Sequence, residues 1–131
     1  MMSKSVYLSY DPDDLELVNA IRSKIENIKE DISFIDYGSK PNFSQECSII
    51  TKEKIREMIK RVKIVLCMIG YSTNLDKWAN WEVNTGVYFE KKIIGARLHD
   101  IYMDQIPKSL QDHNAKIISC DINSIIKALV I

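Results

Sequence analysis

The segment Trp78-Ala79-Asn80-Trp81-Glu82 holds the side chains whose types and spacing best suit chemistry. It follows the apolar run Ile64–Ile69 and reads as the opening of a helix. With Trp78 at zero on a helical wheel, Glu82 falls about 40° away, because each residue advances about 100°. Ala79, Val83, Gly86 and Val87 gather further round the same side, so the carboxylate borders the apolar face close to an indole. A solvated surface glutamate would sit opposite that face. Glu82 therefore reads as a placed anion; the alternative is an acid that merely complements the helix dipole in an early turn.

Other candidates fall at strand ends. Ser9 and Tyr10 close the first apolar run, Asp36 closes the second, and Arg97 and His99 lie near the end of the fourth. In open α/β folds the carboxyl ends of the strands are where ligands bind. Arg97 reads either as a contact for a pyrophosphate or as the partner of an acid such as Asp100. Asp36 reads as a ligand or a turn-former, and Ser9 as a site residue or one that satisfies nearby backbone groups. His99 stays open between a ligand and a structural side chain. Trp78 and Trp81 stay open between a pocket wall and ordinary packing.

The elements that must position these groups alternate along the chain. Val6–Tyr10 reads as a strand, followed by Asp11 as N-cap and Pro12 at the first helical position. Leu17, Val18, Ile21, Ile25 and Ile28 then recur at helical spacing. Ile32–Asp36 is a second strand, ending in a polar loop with Tyr37, Gly38, Pro41 and Phe43. Thr51 is expected to cap a helix carrying the stripe Ile55, Met58, Ile59, Val62. Ile64–Ile69 reads as a central strand buried on both faces, with Val65 and Cys67 inside. The helix Trp78–Glu90 leads to a fourth strand, Ile93–Leu98. A loop containing Pro107 follows, then a short fifth strand, Lys116–Cys120. Asp121 is expected to cap a last helix with Ile122, Ile125, Ile126 and Leu129 inward. Strand–helix alternation with short connections predicts a flavodoxin-like α/β fold: three layers around a five-stranded parallel sheet of order 2-1-3-4-5.

Composition narrows the function. At 131 residues the chain is expected to form one domain, residues 1–131, with a sizeable core. Eighteen basic residues balance eighteen acidic ones, so neither nucleic acid nor an anionic membrane is an expected partner. No apolar run approaches the ~20 residues that span a bilayer, and no secretory leader is visible, so a cytoplasmic location is expected. Three scattered cysteines, Cys47, Cys67 and Cys120, suggest neither a disulfide framework nor a zinc site, and no metal is expected. The first turn, Ser9-Tyr10-Asp11-Pro12-Asp13, lacks the glycines of a dinucleotide fingerprint, and no P-loop motif is present. The third strand ends Met68-Ile69-Gly70, without the aspartate a phospho-accepting receiver needs.

Three segments together resemble a known family. Val6-Tyr7-Leu8-Ser9-Tyr10 is similar to the first strand of Toll/interleukin-1 receptor (TIR) domains. Gly70-Tyr71-Ser72 followed by Trp78-x-x-x-Glu82 is similar to their W-x-x-x-E segment. Ile93-Ile94-Gly95-Ala96-Arg97-Leu98-His99 resembles the fourth strand of a compact bacterial TIR-like subgroup that includes the Thoeris antiphage TIR proteins. The resemblance spans essentially the whole chain, about one TIR domain in length.

It implies cleavage of NAD at the nicotinamide–ribose bond, with NAD as substrate and no cofactor. The product would be an ADP-ribose-derived, often cyclic, nucleotide signal read by a separate effector protein. Nicotinamide leaves a pyridinium as a neutral molecule, so the chemistry needs no acid for the leaving group. It needs a carboxylate to stabilise an oxocarbenium-like ribose. The resemblance assigns that role to Glu82, with Trp78 walling the pocket and Ser9 and Tyr10 on the nicotinamide side. Asp36, Tyr37 and Gly38 would open a loop that closes over substrate and serves self-association, and Arg97 and His99 would complete the binding set. The alternative from another class is a non-catalytic TIR-like interaction module that self-assembles.

Overall fold

A computed structural model describes residues 4–130; the extreme N-terminus, part of the expectation about a leader, falls partly outside that range. The strands are β1 (Lys4–Tyr10), β2 (Ile32–Ile35), β3 (Ile64–Ile69), β4 (Lys92–Arg97) and β5 (Lys116–Ser119). All neighbours pair in parallel, in the order β2-β1-β3-β4-β5. The helices are α1 (Leu15–Ile28), α2 (Ser48–Arg61), α3 (Lys77–Tyr88), α4 (Lys108–Asp112) and α5 (Ile122–Val130). The expected five-stranded α/β architecture is therefore present. No described helix is long and apolar enough to cross a membrane.

Strand alternation sorts the core into two layers. Val6, Leu8 and Tyr10 of β1, with Ile64, Leu66 and Met68 of β3, face α1 and α5. Tyr7 and Val65 face α2 and α3, while Cys67 and Ile69 pack with Val83 of α3 and Leu110 of α4. Every residue of β3 is buried, Val65 and Cys67 completely, as its unbroken apolar run requires of a central parallel strand.

Several local expectations hold and some are corrected. Asp11 accepts the Asp13 N–H at 3.0 Å and caps a short 3₁₀ turn with Pro12 at its start. Asp121 accepts the Ser124 N–H at 2.8 Å ahead of α5. Thr51 does not cap α2. The helix begins at Ser48, where turns running back to Gln45 and Glu46 receive the first N–H groups, and Thr51 is buried inside it. Leu17 and Ile28 are exposed, because the buried apolar face that α1 turns to the sheet consists of Val18, Ile21 and Ile25. The loop around Pro107 contains a 3₁₀ turn, Met103–Gln105, and α4, both too short to show a period in sequence.

Gly86 lets α3 lie close to the sheet. A Cβ there would come within 2.7 Å of Val65 Cγ2 and 2.9 Å of Ile93 Cδ1. Gly86→Ala should gain about 1 kcal/mol of helix propensity and lose about 1–3 kcal/mol to overpacking. The expected result is a lower denaturant midpoint with an unchanged slope; a variant more stable than the parent would show that α3 has room to move out.

Candidate active site

Asp76 sets where α3 begins. Its carboxylate accepts from the Trp78 and Ala79 N–H groups at 2.9 and 3.3 Å, which places Glu82 little more than one turn into the helix. Asn80 ties the same turn to α4, its Oδ1 accepting from the Ser109 N–H and hydroxyl at 3.3 and 2.8 Å. Trp78 is locked from outside: its indole N–H donates to Pro41 O at 2.8 Å, and its ring meets Phe43 edge-on with centroids 5.0 Å apart.

So held, Glu82 turns inward over β1 and is 0 % exposed. One carboxylate oxygen accepts the Ser9 hydroxyl at 2.8 Å, and the other accepts the Tyr7 hydroxyl. Lys40 Nζ stands 3.7 Å from the second oxygen, its side chain 10 % exposed. Two hydroxyl donors and one ammonium thus converge on a single, fully buried carboxylate. Burial drives the carboxyl up to about 7; Lys40 and the two hydrogen bonds pull it back only in part. The Tyr7 hydroxyl is raised above its ordinary range, first by burial and then by the charge of Glu82, so it stays a donor.

The arrangement lies where the chain switches direction across the sheet, since β1 leads to β2 on one side while β3 lies on the other. Such a point opens a crevice at the carboxyl ends of the strands. Gly38, with φ of +88°, turns the loop after β2 in a conformation suited to glycine, and Lys40 follows two residues later.

The residues singled out from the sequence separate into three places. Glu82, Ser9 and Trp78 come together on the α3 side. Tyr10 does not join Ser9 there, because neighbouring strand residues point to opposite faces. Its hydroxyl donates to Asp36, which also meets Arg22 Nη1 at 3.4 Å. Tyr37 packs half-buried against the cluster around Tyr7 and Trp78. Arg97 and His99 line a separate cleft at the ends of β4 and β5. Arg97 forms no ion pair with Asp100 or with any other described residue.

Two contributors escaped the sequence reading. Tyr7 looked like core, although its two-residue spacing from Ser9 puts both on one face and was the signal available. Lys40 sits in an aperiodic loop and carried no signal.

A family model described as the TIR-like domain of the Thoeris protein ThsB matches residues 7–102. Among solved structures, the chain is similar to the TIR domains in the structure of the activated Roq1 resistosome directly recognizing the pathogen effector XopQ. The TM-score is 0.56 at 13% identity, over 84% of this chain and 68% of that one. No curated protein matches in sequence.

Proposed function

The chain belongs to the TIR-like domain family of the Thoeris protein ThsB, and on that premise we propose that it cleaves NAD at the nicotinamide–ribose bond. The observation that carries the proposal is the Glu82 carboxylate, fully buried at the switch point and fixed by Tyr7, Ser9 and Lys40. A carboxylate in this position stabilises positive charge that develops on the ribose as neutral nicotinamide departs. The low dielectric around it strengthens that attraction. The ADP-ribosyl cation left when the nicotinamide bond breaks is captured by water, giving linear ADP-ribose and a proton, or by a nucleophile of its own, giving a cyclic isomer and likewise a proton. Either product is the nucleotide signal, read in antiphage defence by a separate effector, with the TIR-like domains self-associating.

The closed geometry also has a charge logic. Lys40 supplies a cation beside Glu82, in the position a cationic ribose would take over. Moving the loop that starts at Gly38 exchanges one positive partner for another, so the carboxylate need not face the interior unpaired. Glu82 must be ionised to act, and Lys40 holds its pKa down. NAD cleavage is therefore expected to rise with pH through about 7 in the parent. In Lys40→Met the rise should move to higher pH. A pH–rate profile of nicotinamide release tests this; an unmoved midpoint would show that Lys40 does not tune the carboxylate.

A non-catalytic interaction module is favoured by a different aspect of the same site, namely that Glu82 is completely enclosed and its two oxygens are already partnered. Incubating the protein with NAD and following free nicotinamide by chromatography separates the two. Release above the uncatalysed rate supports the hydrolase or cyclase. Its absence in both the dispersed and the self-associated protein leaves the module.

A further inference from the structure

The cleft at the carboxyl ends of β4 and β5 has a volume of about 510 Å³ and does not include Glu82 among its lining residues. Arg97 lines it, and two features of that side chain are unusual. Its Nε is buried without a hydrogen-bond partner, and its guanidinium makes no ion pair among the described residues. A buried guanidinium donor without an acceptor is costly, and such groups are normally satisfied. The fork of donors matches the geometry of a phosphate.

The second component is aromatic. Tyr71 stacks on His99 with centroids 4.4 Å apart and planes 2° from parallel, so one face of the phenol ring is covered. Tyr71 is nevertheless 59 % exposed, which leaves its other face open beside the cleft. An open ring next to an unsatisfied guanidinium suits a planar group carried on a phosphate ester. Aromatic side chains stack on nucleobases of any identity, because every base presents a π-face. Asp100 on the same rim disfavours a bare anion but offers an acceptor to a sugar hydroxyl.

From this combination we infer that the cleft binds a nucleotide, with its phosphate on Arg97 and its base on the exposed face of Tyr71. The site is separate from the Glu82 carboxylate: Arg97 lies in register with Ile69 on the far side of β3 from β1. It stands whether or not Glu82 cleaves NAD.

Calorimetric titration with ADP, inorganic pyrophosphate and adenosine tests it on the full chain. The parent is expected to bind ADP more tightly than either of the others. Arg97→Gln should weaken ADP and pyrophosphate at least about tenfold, the scale of a lost charge-assisted hydrogen bond. Because Arg97 makes no ion pair among the described residues, that variant should melt like the parent. Tyr71→Ala should weaken ADP but not pyrophosphate. Glu82→Gln should leave ADP binding unchanged, which keeps this outcome apart from the fate of NAD cleavage. Two-dimensional NMR should place the ADP-induced shifts at Tyr71, His99 and Ser119. Unchanged ADP affinity in Arg97→Gln, shifts centred elsewhere, or no ADP binding by the folded parent would overturn the inference.

Discussion

Glu82→Gln is expected to remove nicotinamide release from NAD while leaving the domain folded. Glutamine keeps the size of the side chain and can still accept from Ser9 or Tyr7, so the hydrogen-bonded frame survives. What is lost is the negative charge that would face the cationic ribose. By analogy with one electrostatic donor in an oxyanion hole, the rate should fall roughly 10²–10³-fold, or about 3–4 kcal/mol. If Glu82 only completes the packing of α3, activity should be untouched by the substitution. Rates measured beside thermal melting on parent and variant separate the cases, and a normally melting Glu82→Gln protein with the parent rate would sink the assignment.

The same substitution should stabilise the protein at alkaline pH, which is the second large effect. Burial raises the Glu82 carboxyl from an unfolded value of 4.5 to about 7. Below 4.5 the group is protonated in both states and contributes no pH dependence. Between 4.5 and about 7 the unfolded chain releases its proton while the folded one keeps it, so stability falls as pH rises. Above about 7 the carboxylate is charged in both states and the full penalty remains. A shift of this size corresponds to about 3 kcal/mol, or roughly 10 °C in melting temperature for a domain of this length. Glutamine resembles the protonated acid at every pH. The difference in melting temperature between variant and parent should thus be near zero at pH 4.5 and should grow to favour the variant by pH 8. Taking the difference cancels the titration of distant groups. Parallel melting curves from pH 4.5 to 8 would mean that the carboxylate is not destabilised by burial. A residue that weakens the fold when ionised is the pattern expected where function is retained against stability.

The strands were legible because burial leaves a periodic trace. Ile64–Ile69 announced a two-sided strand, and β1 and β4 were found to within two residues at each end. Glu82 was legible because helical spacing set a charge beside the face that holds Ala79 and Val83. The enclosure of that charge was not legible. It depends on Lys40, which reaches the site only because the loop after β2 folds back, and a loop has no period to read. Tyr7 was concealed by its own suitability as a core residue. Its hydroxyl matters only once α3 brings an acceptor to it. Arg97 and Asp100 looked like a plausible ion pair in sequence; only geometry showed that the guanidinium pairs with no acid among the described residues. The error at Thr51 had a similar origin, since backbone turns at Gln45–Ser48 start α2 without any side-chain cap.

The two hydroxyls on β1 lie 75 and 73 residues from the carboxylate that accepts them. During synthesis, Tyr7 and Ser9 leave the ribosome long before Glu82 exists, and the inner face of β1 stays unfinished until α3 has docked. Such distant contacts form late, after the entropy of closing a long loop has been met. Until then the hydroxyls keep water on that face, and a half-assembled sheet cannot be sealed. The centre therefore has no local precursor that a fragment of the chain could hold, and it appears or vanishes together with the tertiary structure.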